Sequence, residues 1–308
     1  MYMSNLDELN AYLTKIRITI YVSVFLVASS FLLQMTGTLG YSFFITEVFP
    51  CILMIVIVLS FVIISNLKKK FRKLYKEMFV NEVFMTTFEN AIYDPDAGFP
   101  IDEMKESKLM KVGNMYHSED YISAKHNGVA FEYSDVVSKH KTGSGKNSHI
   151  YTYFKGNVYK FRFDKGLEAN FNTLYLDVKN SENSKDYSGI AKFLGLKEQD
   201  NLKKVNMESV EFDSIFNVKS TDEHFAFYVL TPAIMETLLG LRRKYPMFRL
   251  VVFKNHLYFG IEREYDSFDN NSMKPIVYFE EKQKIDREID QLKDVIELFE
   301  SFDFVTGE

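Results

Sequence analysis

Residues 141–148 read KTGSGKNS and crowd lysine, glycine and serine together as a phosphate-cradling loop does. Such a loop needs a glycine five residues before its Gly-Lys pair and a hydroxyl directly after the lysine, to wrap the phosphates and hold magnesium. His140 and Asn147 occupy those positions. The flanking residues 129–137 and 150–163 are aromatic and alternating, so the stretch reads as the tip of a hairpin. The histidines (His117, His126, His140, His149, His224 and His256) include no pair at the i, i+4 spacing of a helical zinc motif, and no metal site is expected. Asp222, in Ser-Thr-Asp, is either a carboxylate for catalysis at a strand-to-helix turn or a helix cap, and the cap is the simpler reading. The neighbouring acids Glu119 and Asp120 point in different directions on a strand. Ser134, Ser144 and Ser220 lack a nucleophile elbow. The catalytic candidates that survive are Asp120, Asp222 and His224, which are well separated in sequence.

Long apolar runs dominate the first part of the chain. Residues 18–35 (ITIYVSVFLVASSFLLQM) and 48–65 (VFPCILMIVIVLSFVIIS) contain no charged side chain. About 20 such residues cross a hydrocarbon core as a helix. The connector TGTLGYSFFITE is short, so the two runs predict an antiparallel transmembrane hairpin over 18–65, after a cytosolic segment over 1–17. A cleaved signal peptide fits less well, because the apolar core continues past Ser29-Ser30. Lys15 and Arg17 precede the first run, none lies in the connector, and Lys68, Lys69, Lys70, Arg72, Lys73 and Lys76 follow the second. That bias places both termini in the cytoplasm. The six cations follow the span as an amphipathic helix and are expected to contact the membrane surface, either as a stop signal or through specific lipids. Ala28, Ser29 and Ser30 could bring spans of two copies together as a homo-oligomer.

The rest predicts an α+β domain over 100–308. A juxtamembrane helix and linker fill 66–99, the helix ending near Tyr93 because Pro95 disfavours helix before it. Antiparallel strands are expected at 120–123, 129–138, 151–163, 172–178, 204–212 and 215–219. The polar stretch 180–203 offers a division into two lobes. Ser220 to Glu223 has the form of a capping box, and Thr231-Pro232 starts a helix to 244. A hairpin follows at 248–253 and 257–262, turning at Lys254-Asn255-His256. An amphipathic helix at 281–299, striped by Ile285, Ile289, Leu292, Ile296 and Phe299, reads as packing on the sheet rather than as a coiled coil.

Phe216-Asn217-Val218-Lys219-Ser220-Thr221-Asp222, then Ala226, Tyr228-Val229-Leu230-Thr231-Pro232 and Met235-Glu236, resemble the bacterial membrane-anchored family known as domain of unknown function 3137. Glu119-Asp120-Tyr121-Ile122, Gly128-Val129, Phe131, Ser134 and Phe154-Lys155-Gly156 resemble it too, so the likeness covers residues 104–266. Lys219, Phe227 and Ser123 depart from the family's usual tyrosine, arginine and glycine. The resemblance implies a fold and a membrane address, and it supplies no activity or site.

The composition narrows the function classes. A formal net charge of -5 without a basic aromatic stretch gives no reason to expect nucleic acid. The single Cys51 excludes an intrachain disulfide and suits a reducing compartment. The expected partners are the lipid bilayer and a protein of unknown identity, with no cofactor. The leading expectation is a membrane-tethered binding or scaffold module without catalysis. The alternative is an enzyme with a dispersed site at Asp120, Asp222 and His224, acting on a membrane-proximal substrate.

Overall fold

A computed structural model describes residues 2–35, 49–162, 172–179 and 202–300. The chain divides into two compact units, residues 1–83 with 268–288 and residues 84–267 with 289–308. The expected connector at 36–48 and most of the polar stretch at 180–203 lie outside the described residues.

The first unit is helical. Helix α1 spans Tyr2–Met35, and α2 spans Phe49–Tyr75, continuing as a π-helical segment Lys76–Asn81 into α3, Glu82–Thr87. Both α1 and α2 are long and apolar enough to cross a membrane. Large apolar side chains such as Phe25 (70% exposed) and Phe61 (74%) point outward, the reverse of a water-soluble helix pair and the surface that lipid would cover. Before the apolar run of α1, Leu9, Leu13 and Ile16 are buried at steps of four and three, so this end packs against protein. Phe71, Tyr75 and Phe79 stack in sequence along α2, and Tyr278 extends the row 5.6 Å from Phe79. The wide π turn accompanies the burial of Lys76, Met78, Phe79 and Val80, too broad a set for one narrow α-helical stripe.

The second unit is built on one nine-stranded sheet, antiparallel at every pairing, in the order β1-β2-β3-β4-β9-β8-β5-β7-β6. Its strands are β1 Glu89–Asp94, β2 Met115–His126, β3 Val129–Thr142, β4 His149–Arg162 and β5 Leu174–Val178. Then follow β6 Lys203–Val205, β7 Phe216–Ser220, β8 Phe248–Phe253 and β9 His256–Glu262. Tight turns set the register at two hairpins. Asn127 and Gly128, and then Lys254 and Asn255, adopt the paired positive φ that two-residue hairpin turns require. At Gly156 a Cβ would lie 1.9 Å from the carbonyl oxygen of Ile261, so only glycine lets β4 and β9 approach.

Helix α4, Ile101–Ser107, lies by a core of Phe99, Met104, Leu109, Val136, Phe154, Val158, Val251 and Tyr258. The other sheet face carries Phe161 and Phe259, which pack on Phe299 of α8, Tyr278–Glu300. That helix gives its first turns to the helical unit and the remainder to the sheet unit. Docking on the sheet, as its stripe implied, is what the second part does.

Three expected elements differ. The juxtamembrane helix ends at Thr87, not near Tyr93, and β1 follows, because Ile92 and Tyr93 find cross-strand partners in Ser123 and Ile122. In place of a strand at 204–212 there is the short β6 and then helix α5, Val210–Ile215, whose cap Ser209 accepts the N–H of Phe212. Asp222, not Ser220, caps helix α6, Glu223–Val229. Helix α7, Pro232–Lys244, starts as expected, with Thr231 accepting the N–H of Ile234.

Candidate functional site

Two clusters concentrate the chain's unusual chemistry, one in each unit. In the sheet unit, Asp135 of β3 stands opposite Asn157 of β4 and beside the irregular stretch of β2 between Glu119 and Ile122. Asp120 lies within that stretch, in a left-handed conformation (φ 58) that a non-glycine residue seldom adopts. Its carboxylate accepts the Tyr93 hydroxyl at 2.5 Å, and its residue is 1% exposed. The Tyr133 hydroxyl donates to Asp135 at 2.5 Å, the Ser267 N–H donates to the other Asp135 oxygen at 3.3 Å, and the Asn157 amide reaches the same carboxylate. Asn157 also donates to the Tyr133 and Ser267 hydroxyl oxygens, while its own Oδ1 is buried without a hydrogen-bond partner.

Burial, and secondly the nearby Asp120 charge, push the Asp135 carboxyl up to about 7, against the pull of its hydrogen bonds from Tyr133, Ser267 and Asn157. Burial and the Asp135 carboxylate raise the Tyr133 hydroxyl well above its usual range. Asp135 so placed holds its proton toward neutrality, and both carboxylates are buried, 1% and 7% exposed for Asp120 and Asp135. Sequence reading missed Asp135 and Asn157. The available signal was a polar residue in phase with Phe131 and Tyr133, where alternation calls for an apolar one.

Asp222 and His224 do not join this cluster. The Asp222 carboxylate accepts the His224 N–H at 3.0 Å as a helix cap, and the His224 side chain is exposed. Asp222 follows β7, and β3, β4, β9, β8 and β5 stand between that strand and β2, which carries Asp120. At about 4.8 Å per strand the two acids are on the order of 29 Å apart. Among the described residues, no group of three or more His, Cys, Asp or Glu could hold a metal ion.

The second cluster follows the apolar run of α2. Lys68, Lys69, Lys70 and Lys73 are exposed. Lys76 does not share their exposure: its side chain is 1% exposed, with Nζ 3.1 Å from Asp269, which also accepts Arg72 Nε at 3.2 Å. Tyr75 donates to Glu281 at 2.5 Å, and Lys284 bonds the Asp269 carbonyl and Glu281. Asn10 of α1 exchanges two hydrogen bonds with the backbone of Ile276, at 3.2 and 2.7 Å. Of the small residues in α1, Ser30 is turned inward and donates to Val27.

Comparison with known proteins now bears on this arrangement. Residues 152–302 match the family model described as protein of unknown function, DUF3137. That span, just under half of the chain, supports assignment to the DUF3137 family. It runs from within β4 to the end of α8 and includes Asn157, Asp222 and Asp269, whereas the family-like pieces at 119–134 precede it. No curated protein matches the chain. A crystal structure of the mycobacterial trehalose monomycolate transport factor A, TtfA, is similar at a TM-score of 0.34 and 10% identity, over 74% of this chain and 93% of that one. A likeness of that size leaves the function to be argued from the residues of the chain itself.

Proposed function

We propose that this protein is a membrane-tethered module that binds another protein through its sheet unit and performs no catalysis. The single observation that carries the reading is how the acids nominated for chemistry are used. Asp120 is enclosed and bonded to Tyr93, and Asp222 is a helix cap some 29 Å away by strand spacing. An enzyme acting through Asp120, Asp222 and His224 needs them in one cleft. A binding surface needs no such convergence, and the sheet offers one. β1 is its terminal strand, pairs among the described strands with β2 alone, and leaves Ile92 63% exposed. Such an edge is a template for an added strand from a partner.

In this reading the hairpin of α1 and α2 lies in the inner membrane of a bacterium, the address the family resemblance implies, with both termini in the cytoplasm, an orientation that the lysine and arginine bias supports. The test is a mild-detergent capture of the full chain from its native membrane, read by mass spectrometry beside a chain lacking residues 100–308 and beside full-length Ile92→Lys. A partner that is lost with the sheet unit and weakened by Ile92→Lys supports the reading. Turnover of a nucleotide, phosphoester or peptide by the purified chain, abolished by Asp120→Asn, overturns it.

A further inference from the structure

The cations beyond the second span are sorted by the fold: Arg72 and Lys76 pair with Asp269, and Lys68, Lys69, Lys70 and Lys73 do not. An α-helix rises 1.5 Å per residue, so Lys68 to Lys73 lie roughly 4–12 Å past Ser65, the last residue of the apolar run. The polar layer of one leaflet is about 5–7 Å deep, and a lysine stem reaches toward it from below. Lys68, Lys69, Lys70 and Lys73 are therefore within reach of headgroups, and among the described residues they make no ion pair. Lys76, roughly 16 Å past Ser65, is out of that reach. It is the cation that the protein buries and neutralises with Asp269.

The first span adds to the same end. Lys15 and Arg17 precede its apolar run, and neither forms an ion pair among the described residues. Residues 9–17 and 66–76 together carry eight lysines and arginines and no acid. Both helices continue unbroken through these positions, so the side chains sit at fixed depths on rigid supports rather than on a loose tail.

From this we infer that Lys68, Lys69, Lys70 and Lys73, with Lys15 and Arg17, form a collar that selects anionic phospholipid headgroups over zwitterionic ones. The inference rests on the membrane-tethered reading and names the lipid that the tether prefers. Hydration and salt screen such contacts, so the preference weakens as ionic strength rises.

The chain has no tryptophan, which gives a clean optical test. Phe61→Trp places one indole on an outward-facing position of α2 near the collar. The full-length protein is reconstituted in mixed phosphatidylcholine and phosphatidylglycerol vesicles, with bromine on one lipid or the other as quencher. The expected result is a relative binding constant for phosphatidylglycerol of about 5, in line with the attraction of a lysine near an anionic surface. It falls toward 1 in high salt and in the variant Lys68→Gln/Lys69→Gln/Lys70→Gln/Lys73→Gln. Equal quenching of parent and variant in vesicles of brominated phosphatidylcholine alone shows that both are inserted. A constant near 1 in the parent, or one unchanged in the quadruple variant, overturns the collar while leaving the protein-binding proposal standing. Loss of the preference to soluble glycerol phosphate, beyond what sodium chloride of the same ionic strength causes, also overturns it in favour of a free phosphoester. Absence of quenching by either lipid removes the membrane tether and the collar with it.

Discussion

Lys76 places its ammonium 3.1 Å from Asp269 although only 1% of its side chain meets solvent. Removing the carboxylate takes a close counter-ion from a buried charge, which is the costly way to break such a pair. Asp269→Asn is expected to destabilise the helical unit by about 3 kcal/mol. The measurement is thermal melting of the full chain in detergent, with limited proteolysis of residues 263–277 as the local readout. A melting curve and cleavage pattern matching the parent would refute the role given to this pair.

Asp135 supplies a pH dependence of defined sign. In the fold its carboxyl titrates at about 7, against 3.8 for the free group. Below pH 4 both folded and unfolded chains hold the proton and nothing is gained or lost. Between pH 4 and 7 the unfolded chain releases it first, so stability falls as pH rises, by on the order of 4 kcal/mol over the whole window. Above pH 7 the loss is complete. Asp135→Asn is expected to flatten this slope whatever offset it adds, and melting temperatures at a series of pH values would reveal it. An unchanged slope would mean that other groups set the dependence.

The caps of α6 and α7 give a graded control. Asp222→Ala and Thr231→Ala each remove a side-chain acceptor from a helix N-terminus and should each cost about 1 kcal/mol. For Asp222 this is the whole expected effect, with partner capture by the sheet unit unaltered. A loss of capture without a loss of stability would assign Asp222 a contact with the partner.

Gly156→Ala is expected to be severe. The added methyl would meet the Ile261 carbonyl at 1.9 Å, and neither backbone can yield without breaking the pairing of β4 with β9. A penalty of about 3 kcal/mol follows. Urea unfolding of the full chain, read by circular dichroism, measures it, and a variant as stable as the parent would show that the two strands have room to separate.

The apolar runs, the hairpin turning near Lys254-Asn255-His256 and helix α7 were legible in the sequence because each is fixed by its own residues: an uncharged run, an asparagine-bearing turn that the structure tightens to two residues by taking His256 into β9, a hydroxyl followed by proline. β1 was not, since its six residues follow a helix without a break signal and gain their strand character from β2. Asp135 was passed over for a similar reason. Its partners Asn157 and Ser267 come from another strand and from the chain beyond β9, and sequence spacing holds no record of that meeting. Asp222 was legible as a helix cap from its place in Ser-Thr-Asp, whereas the role of Asp120 was not, because its burial is decided by tertiary neighbours. The sorting of Lys76 from Lys68 to Lys73 depended on Asp269, far along the chain.

Helix α1 runs without interruption from Tyr2 to Met35, about 51 Å at 1.5 Å per residue, while the hydrocarbon core is about 30 Å thick. The stretch before its apolar run is thus a rigid lever. Spans answer a change in bilayer thickness by tilting, and a tilt of about 10° about the apolar run's start swings Asn10, some 12 Å away, sideways by about 2 Å. Asn10 grips the backbone of Ile276 on both sides of the peptide, so the segment carrying Asp269 must follow or let go. For a membrane-tethered chain, as proposed above, bilayer thickness would thereby be a mechanical input.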